Sequence, residues 1–313
     1  MRQFSHIMVA IVALLMSLVA YGQKVSPEQR VRLADPFIML HDGIYYAYGT
    51  HNRNGIEYYT STDLKEWQYG GLALHKQDSY GEKWFWAPEV YHINGKFYMY
   101  YTAQERICVA TASSPTGPFK QADKVPMIPD QHTIDNTIFI DDDGKAYLVY
   151  VLIKRGFHIK MAEFESDLTT IKKGRHTTCI EPRQKWELLS KNPVNEGPSI
   201  IKHKGVYYML YSGNGYTSQR YGVGYATANN IRGPWKKGKS NPILQMPGDL
   251  VGTGHGAPFY DKRGRLHYVF HAHHSEERVH PRFMCISRMA FRRIDGVVQP
   301  TISSKYFIPK TSK

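Results

Sequence analysis

Cysteine is scarce in this sequence. The 313 residues include three cysteines, Cys108, Cys179 and Cys285. An odd number of widely separated cysteines excludes a disulfide framework and a cysteine-based metal site. We expect scattered, semi-buried thiols. Oxidation of one pair stays open as an alternative, because disulfides persist in exported proteins.

The sequence also lacks long segments with the apolar spacing of an amphipathic helix, which argues against alternating strand–helix units. No low-complexity linker divides it. Instead it contains 23 tyrosines, 26 glycines and 17 prolines, a composition typical of an all-β protein with many turns. Hydrophobic residues make up 42% of the chain, enough for a sizeable core. We predict one domain over residues 23–313.

Acidic residues are outnumbered, 27 against 40 Lys and Arg, which gives a formal net charge of +13. The basic residues are scattered along the chain and form no nucleic-acid-binding motif, so no nucleic acid is expected as a partner. We interpret the charge as a solvated basic surface. An affinity for acidic polysaccharides or for an anionic envelope surface is the alternative.

The one long apolar run lies at the N-terminus. Arg2 precedes the apolar segment Ile7–Ala20, and small residues follow. This pattern predicts a signal peptide over residues 1–22, with cleavage before Gln23 and a secreted or periplasmic protein. The alternative, a membrane anchor, is disfavoured because the run is short and no basic flank follows it. We therefore do not expect an integral membrane protein.

A hairpin-like pattern recurs five times along the chain. The copies cover Ala34–Thr50, Trp86–Ala103, Asp135–Val151, Glu196–Gly213 and His255–Ala272. Each has an apolar strand, a turn with a glycine and an aromatic strand; the turn glycines are Gly43, Gly95, Gly144, Gly205 and Gly264. A period of about fifty to sixty residues made of short strands predicts a β-propeller with one sheet per blade. Five copies predict a five-bladed β-propeller.

The residues that open the five copies would meet at one end of the central channel. They are Asp35, Trp86, Asp135, Glu196 and His255. Because clustered carboxylates repel, their proton affinities separate, so that one is a neutral acid and another an ionised base. Hydrolysis of a glycosidic bond needs such a pair. A structural cation such as calcium is the alternative. We favour catalysis because the acids are far apart in sequence and none lies in a D-x-D loop.

Five blocks carry a resemblance to a known family. They are LADPFI (Leu33–Ile38), WAPEV (Trp86–Val90), IDNTIFIDDDGKAYLVY (Ile134–Tyr150), NEGPSI (Asn195–Ile200) and GTGHGAPF (Gly252–Phe259). In this order they resemble the signature blocks of glycoside hydrolase family 43. The resemblance implies a five-bladed propeller and an inverting enzyme that acts on arabinose- or xylose-containing plant polysaccharides.

The resemblance also implies roles for the three acids. Asp35 would be the general base that activates water, and Glu196 the general acid that protonates the leaving oxygen. Asp135 would orient Glu196 and tune its proton affinity. Inversion requires the base and acid carboxyls to lie about 6.5–9.5 Å apart, which leaves room for the water.

His255 is the metal candidate. The resemblance places it on the propeller axis near a calcium or sodium ion, whereas a hydrogen-bonded channel histidine without metal is the alternative. No organic cofactor is expected. His271, His273 and His274 stay unassigned.

Four residues are candidates for substrate binding. Trp86 would stack on a sugar face, or else pack within an inner strand. Phe37 and Tyr216 are further pocket candidates. Arg282 resembles the late arginine that contacts sugar hydroxyls in this family; the alternative is a surface arginine.

The leading prediction is therefore an exported, exo-acting glycosidase that removes α-L-arabinofuranosyl or β-D-xylosyl residues. An endo-arabinanase and a β-galactofuranosidase of the same family stay open. A non-catalytic carbohydrate-binding propeller is the alternative of another class. The presence of all three acids argues against it.

Overall fold

The computed structural model describes residues 25–174, 176–191 and 193–312. The predicted signal peptide over residues 1–22 lies outside them. The described chain is built almost entirely of strands, with two single-turn 3-10 helices at Lys76–Asp78 and Lys185–Glu187. Its strands form five antiparallel sheets arranged in a ring. The predicted five-bladed β-propeller is confirmed.

Each blade begins with an inner strand and runs outward along the chain. Blade 1 contains β1 (Ala34–His41), β2 (Ile44–Thr50), β3 (Gly55–Ser61) and β4 (Glu66–His75). Blade 2 contains β5 (Trp86–Ile93), β6 (Lys96–Ala103) and β7 (Arg106–Ala112). Blade 3 contains β8 (Thr133–Ile140), β9 (Ala146–Ile153), β10 (Phe157–Glu163) and β11 (Thr177–Ile180). Blade 4 contains β12 (Asn195–His203), β13 (Val206–Gly213), β14 (Gly222–Ala228), β15 (Lys236–Lys237) and β16 (Leu244–Gln245). Blade 5 contains β17 (Gly254–Tyr260), β18 (Leu266–Ala272), β19 (Phe283–Ile294) and β20 (Val297–Phe307), and β21 (Lys310–Thr311) follows.

The inner strands close the ring. β1 contacts β5, β5 contacts β8, β8 contacts β12, β12 contacts β17, and β17 contacts β1. The chain ends then join blade 5 to blade 1. β21 adds in parallel to the outer strand β4, and the backbone N–H of Met284 donates to the carbonyl of Val31 at 2.9 Å.

The core consists of five apolar clusters, one between each pair of neighbouring blades. The aromatic second strands supply both sides of these interfaces because their side chains alternate. In β6, Tyr101 packs towards blade 1 and Tyr100 towards blade 3. In β13, Tyr207 packs towards blade 3 and Tyr208 towards blade 5. This double burial explains why the second strands are rich in tyrosine.

Every inner strand has a β-bulge near its start. The residue at the bulge has a positive φ in all five blades: Asp35 (49°), Ala87 (45°), Asp135 (51°), Gly197 (54°) and His255 (39°). The equivalence that we expected among the five opening residues is therefore wrong for two of them. Trp86 and Glu196 lie one residue before the bulge.

The cause is the length of the hairpin turns. Two residues separate β1 from β2, whereas five residues, Asp141–Lys145, separate β8 from β9. The same number of residues counted back from the turn glycine therefore reaches different positions in the inner strands of different blades. Because side chains alternate along a strand, this offset sends Glu196 in a different direction from Asp135.

Two further sequence predictions have outcomes here. Cys108 and Cys285 are buried, Cys179 is half-buried, and all three are free thiols, as we expected. Within the described residues, no helix combines the length and the apolar character that a membrane crossing requires.

Candidate active site

A cavity of about 890 Å³ opens at the end of the ring where the inner strands begin. Seven of the eight residues that the sequence nominated line it: Asp35, Trp86, Asp135, Glu196, Tyr216, His255 and Arg282. They come from all five blades or from the loops beside them. The ring therefore brings together side chains that are up to 247 residues apart.

The bulge residues are held by a repeated hydrogen bond between blades. The backbone N–H of the bulge residue donates to a polar side chain near the end of the previous blade's second strand. The four pairs are Ala87 with Thr50 Oγ1 (2.9 Å), Asp135 with Thr102 Oγ1 (3.1 Å), His255 with Ser212 Oγ (2.8 Å) and Asp35 with His271 Nδ1 (3.1 Å). These bonds satisfy backbone groups that the bulge removes from the sheet.

Blade 4 breaks this pattern. The corresponding residue of blade 3 is Val151, which pairs with Ile134 and has no polar group. The backbone N–H of Gly197 instead donates to Oδ2 of Asp135 at 3.0 Å. Asp135 is thereby tied to the backbone immediately after Glu196. A Cβ at Gly197 would lie 2.8 Å from the His255 ring, so this close approach needs glycine.

Asp35 is a buried carboxylate surrounded by nitrogen. Arg282 donates from Nη1 to Oδ1 at 2.9 Å and from Nη2 to Oδ2 at 3.5 Å. The Nδ1 atoms of His255 and His271 each lie 3.3 Å from Oδ1. Burial alone would raise the pKa of Asp35, but the charge of Arg282 and the two imidazoles outweigh it and hold the pKa well below its ordinary value. Asp35 is therefore ionised at neutral pH.

Glu196 has the opposite environment. Its carboxyl group is buried and accepts a hydrogen bond from the Tyr221 hydroxyl at 2.8 Å. Burial, followed by the negative charge of Asp135, raises the pKa of Glu196 well above its ordinary value, although the Tyr221 bond opposes the shift. Glu196 is therefore the group that retains a proton as its neighbours ionise.

Asp135 shares the His255 imidazole with Asp35 and accepts the N–H of Gly197, the residue after Glu196. His255 Nδ1 is 3.7 Å from Oδ2 of Asp135. Burial raises the pKa of Asp135, and so does the charge of Asp35, while His255 and the Gly197 N–H partly offset them. The site thus combines the ionised carboxylate of Asp35, the protonated carboxyl of Glu196 and a third acid, Asp135. Asp135 contacts His255, which also contacts Asp35, and the backbone next to Glu196.

His255 offers little to a cation. Its Nδ1 faces Asp35 and Asp135, which leaves Nε2 as its free ligand atom. Across the described ranges, no group of three or more His, Cys, Asp or Glu side chains is arranged to hold a metal ion. A calcium or sodium ion at His255 would fit only with water completing its shell, which both ions accept. The cation stays a prediction.

The aromatic candidates differ in position. Trp86 lines the cavity half-buried and stacks on Trp84, with ring centroids 5.7 Å apart. Tyr216 also lines it, and the Arg282 guanidinium lies 4.5 Å from the centre of its ring. Phe37 does not line this cavity. It faces the narrow central channel below and packs against Tyr91, with centroids 5.5 Å apart, because its strand position points away from the opening.

Sequence reasoning missed the residues that support the acids. Tyr221 and His271 are fully buried beside Glu196 and Asp35, and their rings stack at 5.6 Å. One signal was available for His271: four of the five aromatic second strands end near a polar residue, namely Thr50, Thr102, Ser212 and His271. No comparable repeat marks Tyr221.

A further buried acid, Glu89, lies in the central channel. Burial raises the pKa of Glu89 to about 8, and the Tyr91 hydroxyl donates a hydrogen bond to its Oε2. Glu89 is thus largely neutral at pH 7 and adds little negative charge to the floor of the cavity.

Known proteins share the sequence and the fold of this chain. A family model described as "Glycosyl hydrolases family 43" matches residues 26–297. A solved structure described as endo-1,4-beta-xylanase from Bacteroides thetaiotaomicron VPI-5482 is 45% identical, with a TM-score of 0.86 over 91% of this chain and 98% of that one.

Two curated relatives are more distant. The "Beta-D-galactofuranosidase xynD" of Aspergillus niger is 26% identical over 86% of this chain and 83% of its own length. The "Extracellular exo-alpha-(1->5)-L-arabinofuranosidase ArbA" of Cellvibrio japonicus is 23% identical over 88% and 87%. The named activities differ among these relatives.

Proposed function

This chain belongs to glycosyl hydrolases family 43, and from that premise we propose that it is an inverting glycosidase. It removes α-L-arabinofuranosyl or β-D-xylosyl residues from plant polysaccharides or their oligosaccharides. One observation carries the proposal. Two carboxyl groups in the same cavity, Asp35 and Glu196, have pKa values displaced in opposite directions.

Asp35 acts as the general base. Its ionised carboxylate accepts a proton from a water molecule as that water attacks the anomeric carbon. Arg282 holds the carboxylate in place and ionised, and His271 fixes the Asp35 backbone by accepting its N–H. Because the base is buried, water reaches it only through the cavity, and the bound sugar limits the access of other waters.

Glu196 acts as the general acid. It gives its proton to the glycosidic oxygen as the bond to the leaving sugar breaks. Asp135 supports it in two ways: its charge raises the pKa of Glu196, and its bond to the Gly197 N–H fixes the adjacent backbone. The products are a free sugar of inverted anomeric configuration and a shortened glycan.

Trp86, Tyr216 and Arg282 line the space for the sugar. Trp86 offers an aromatic face for stacking. Arg282 already pairs with Asp35, so any contact with a sugar hydroxyl would come in addition to that ion pair.

Xylan is the glycan that the comparisons favour most. The solved structure named an endo-1,4-beta-xylanase is 45% identical, whereas the relatives named as galactofuranosidase and arabinofuranosidase are 26% and 23% identical. Endo-hydrolysis of xylan is therefore the second candidate beside exo-removal of single sugars. A non-catalytic carbohydrate-binding propeller is the third.

A digest of defined glycans separates these candidates. The purified protein is incubated with nitrophenyl arabinofuranoside, nitrophenyl xyloside, arabinoxylan and debranched arabinan, and the products are followed by proton NMR. Release of a single sugar with inverted anomeric configuration supports the proposal. A ladder of oligosaccharides indicates endo-action, retention of configuration rejects the mechanism, and binding without products indicates a binding module.

We also propose export with removal of residues 1–22. The relative from Cellvibrio japonicus is named as extracellular, and a polysaccharide substrate is too large to enter the cell. Mass spectrometry of the mature N-terminus tests the cleavage before Gln23.

A further inference from the structure

The wall of the cavity has two chemically different sides. Blades 1 and 5 contribute basic side chains: Arg32, His51, Arg53, Arg278 and His280. Blades 2, 3 and 4 and their loops contribute the apolar ones, Trp86, Ile134, Ile153, Phe157 and Val194, together with Glu105 and Lys191. The basic side is defined here as the basic wall. All of these residues surround the same opening as the three acids.

The arginines of the basic wall have no acidic partner. In the described part of the chain, no carboxylate lies within 4.0 Å of Arg32, Arg53 or Arg278. Each is exposed at the cavity rim. Elsewhere on the surface, basic residues do pair, as Lys202 does with Asp141 at 2.7 Å. The three arginines therefore present positive charge to whatever occupies the cavity, although Glu28 partly offsets that of Arg32.

The charges of the wall reinforce one another. Burial, then the charges of Arg278, Arg30 and Arg32, lower the pKa of His274, and the charge of Glu28 opposes them. Three arginines, two from the start of the described chain and one from blade 5, thus act on the same imidazole. Closely spaced cations lower the free energy of an anion between them more than separated ones do.

The acids of the floor do not need this charge. Asp35 is already paired with Arg282 and lies 3.3 Å from the His255 imidazole. Glu196 holds a proton because its pKa is raised. The basic wall is therefore available for a ligand, and its positive charge is not explained by the hydrolytic site.

We propose that the basic wall binds a carboxylate carried by the glycan, so that the substrate class is a uronic-acid-containing heteropolysaccharide. This inference rests on the proposed function and deepens it. Arginine side chains bind carboxylates through paired hydrogen bonds. The carboxylate belongs to a sugar next to the one whose bond is cleaved. At the floor of the cavity Arg282 is already paired with Asp35, so the free arginines lie further out, on the wall. The apolar side receives the ring faces of the sugars.

The test compares each acidic glycan with its neutral counterpart. Reduction of the uronic acid carboxyl to a primary alcohol removes the charge and leaves the rest of the glycan unchanged. The two arms are a glucuronic-acid-bearing arabinoxylan and a galacturonic-acid-bearing pectic arabinan, each with its carboxyl-reduced form. We expect kcat/KM to be higher for the acidic member of at least one pair, and the preference to decrease with added salt.

Variants of the three arginines test whether the preference for acidic glycans comes from the basic wall. Arg32→Gln, Arg53→Gln and Arg278→Gln are expected to lower the acidic-to-reduced ratio of kcat/KM by about two- to fivefold each, mainly through KM, as for exposed ion pairs. Arg263→Gln, an exposed arginine in the turn between β17 and β18, is the matched control and should leave the ratio unchanged. Equal kcat/KM within both glycan pairs, or equal effects of the control and the wall variants, overturns the inference.

A binding measurement keeps this result separate from the proposed function. Titration calorimetry of the Glu196→Gln variant with the same pairs reports affinity without turnover. If no glycan is hydrolysed but the acidic members bind more tightly, the proposed function fails and the basic wall stands. If hydrolysis proceeds and both members bind equally, the basic wall fails and the proposed function stands.

Discussion

Tyr221 donates its hydroxyl hydrogen to Oε1 of Glu196 across 2.8 Å, inside the buried floor of the cavity. Its ring stacks on His271, which in turn accepts the backbone N–H of Asp35. One buried tyrosine therefore contacts the proposed acid and a supporting residue of the proposed base. A Cβ at Gly254 would lie 2.4 Å from the Tyr221 ring, so this glycine leaves space for the ring.

The Tyr221→Phe variant removes that hydrogen bond. Because the bond favours the ionised form of Glu196, its loss raises the pKa of Glu196 further. A raised pKa in the acid means that activity is retained to higher pH and lost only as pH rises through the new value. We expect the alkaline limb of the kcat profile to move to higher pH, while kcat at the optimum falls about tenfold because the acid is less well oriented. Tyr260→Phe, an exposed tyrosine, is the control. An alkaline limb that moves down contradicts the expected direction.

Replacement of either proposed catalytic acid should abolish turnover of natural glycans. Asp35→Ala and Glu196→Ala are each expected to lower kcat by about a thousandfold or more. The two differ on aryl glycosides, whose leaving group needs no proton. Glu196→Ala should recover much of its activity on dinitrophenyl glycosides, whereas Asp35→Ala should not, since water still lacks its base. Near-normal activity of either variant on xylan or arabinan would reject the assignment.

Arg282 is expected to control the base. Arg282→Met removes the charge that does most to lower the pKa of Asp35. A higher pKa in a base means that activity is lost at a higher pH on acidification, so the acid limb of kcat/KM moves up. We expect kcat/KM to fall at least tenfold at neutral pH, with partial recovery in Arg282→Lys, which restores charge but not the two-nitrogen contact. An unchanged acid limb in Arg282→Met shows that the arginine does not set the pKa of Asp35.

The cation predicted near His255 is tested by chelation. If a calcium or sodium ion is bound there, dialysis against EGTA and desalting should lower the melting temperature or kcat, and return of one of the two salts should restore it. His255→Gln removes the imidazole ligand, so its melting temperature should respond to neither treatment. A native protein that is indifferent to chelation and to both salts contradicts the prediction.

Much of the fold was readable from the sequence because the repeat is local. Turn glycines and aromatic strands lie within about twenty residues of each other in every copy, so their spacing identifies a blade without knowledge of the others. The three acids could be nominated for the same reason: each lies at the start of a copy. The bulge offset of Glu196 could not, because it depends on turn length and on a register that only the paired strands define.

The supporting residues were missed for another physical reason. His271 meets Asp35 across the interface between blades 5 and 1, at a separation of 236 residues, and Tyr221 meets Glu196 within blade 4, at a separation of 25 residues. Neither belongs to the hairpin pattern at a position with an obvious chemical role. Phe37 was nominated for the pocket but does not line it. It lies two residues after Asp35, and the bulge and the strand direction point its side chain towards the central channel.

A buried ion pair behind the cavity gives the last prediction. Lys237 Nζ lies 2.6 and 2.7 Å from the two carboxylate oxygens of Glu187 and 2.7 Å from Oδ1 of Asn195, the residue before Glu196. Glu187 is fully buried and also accepts the Tyr211 hydroxyl. Lys237→Met leaves this carboxylate without its cation, and removal of one partner of a buried pair costs about 3–5 kcal/mol.

The Lys237→Met variant should therefore unfold at a markedly lower urea concentration than the native protein. The double variant Lys237→Met with Glu187→Gln removes the charge on both sides, so we expect it to be more stable than Lys237→Met alone. Lys239→Met, an exposed lysine nearby, is the matched control and should change the urea midpoint little. The pair also holds Asn195, so kcat of Lys237→Met should fall even where the variant is fully folded. A double variant that is less stable than the single one would show that the lost hydrogen bonds of Glu187, and not its uncompensated charge, dominate the cost.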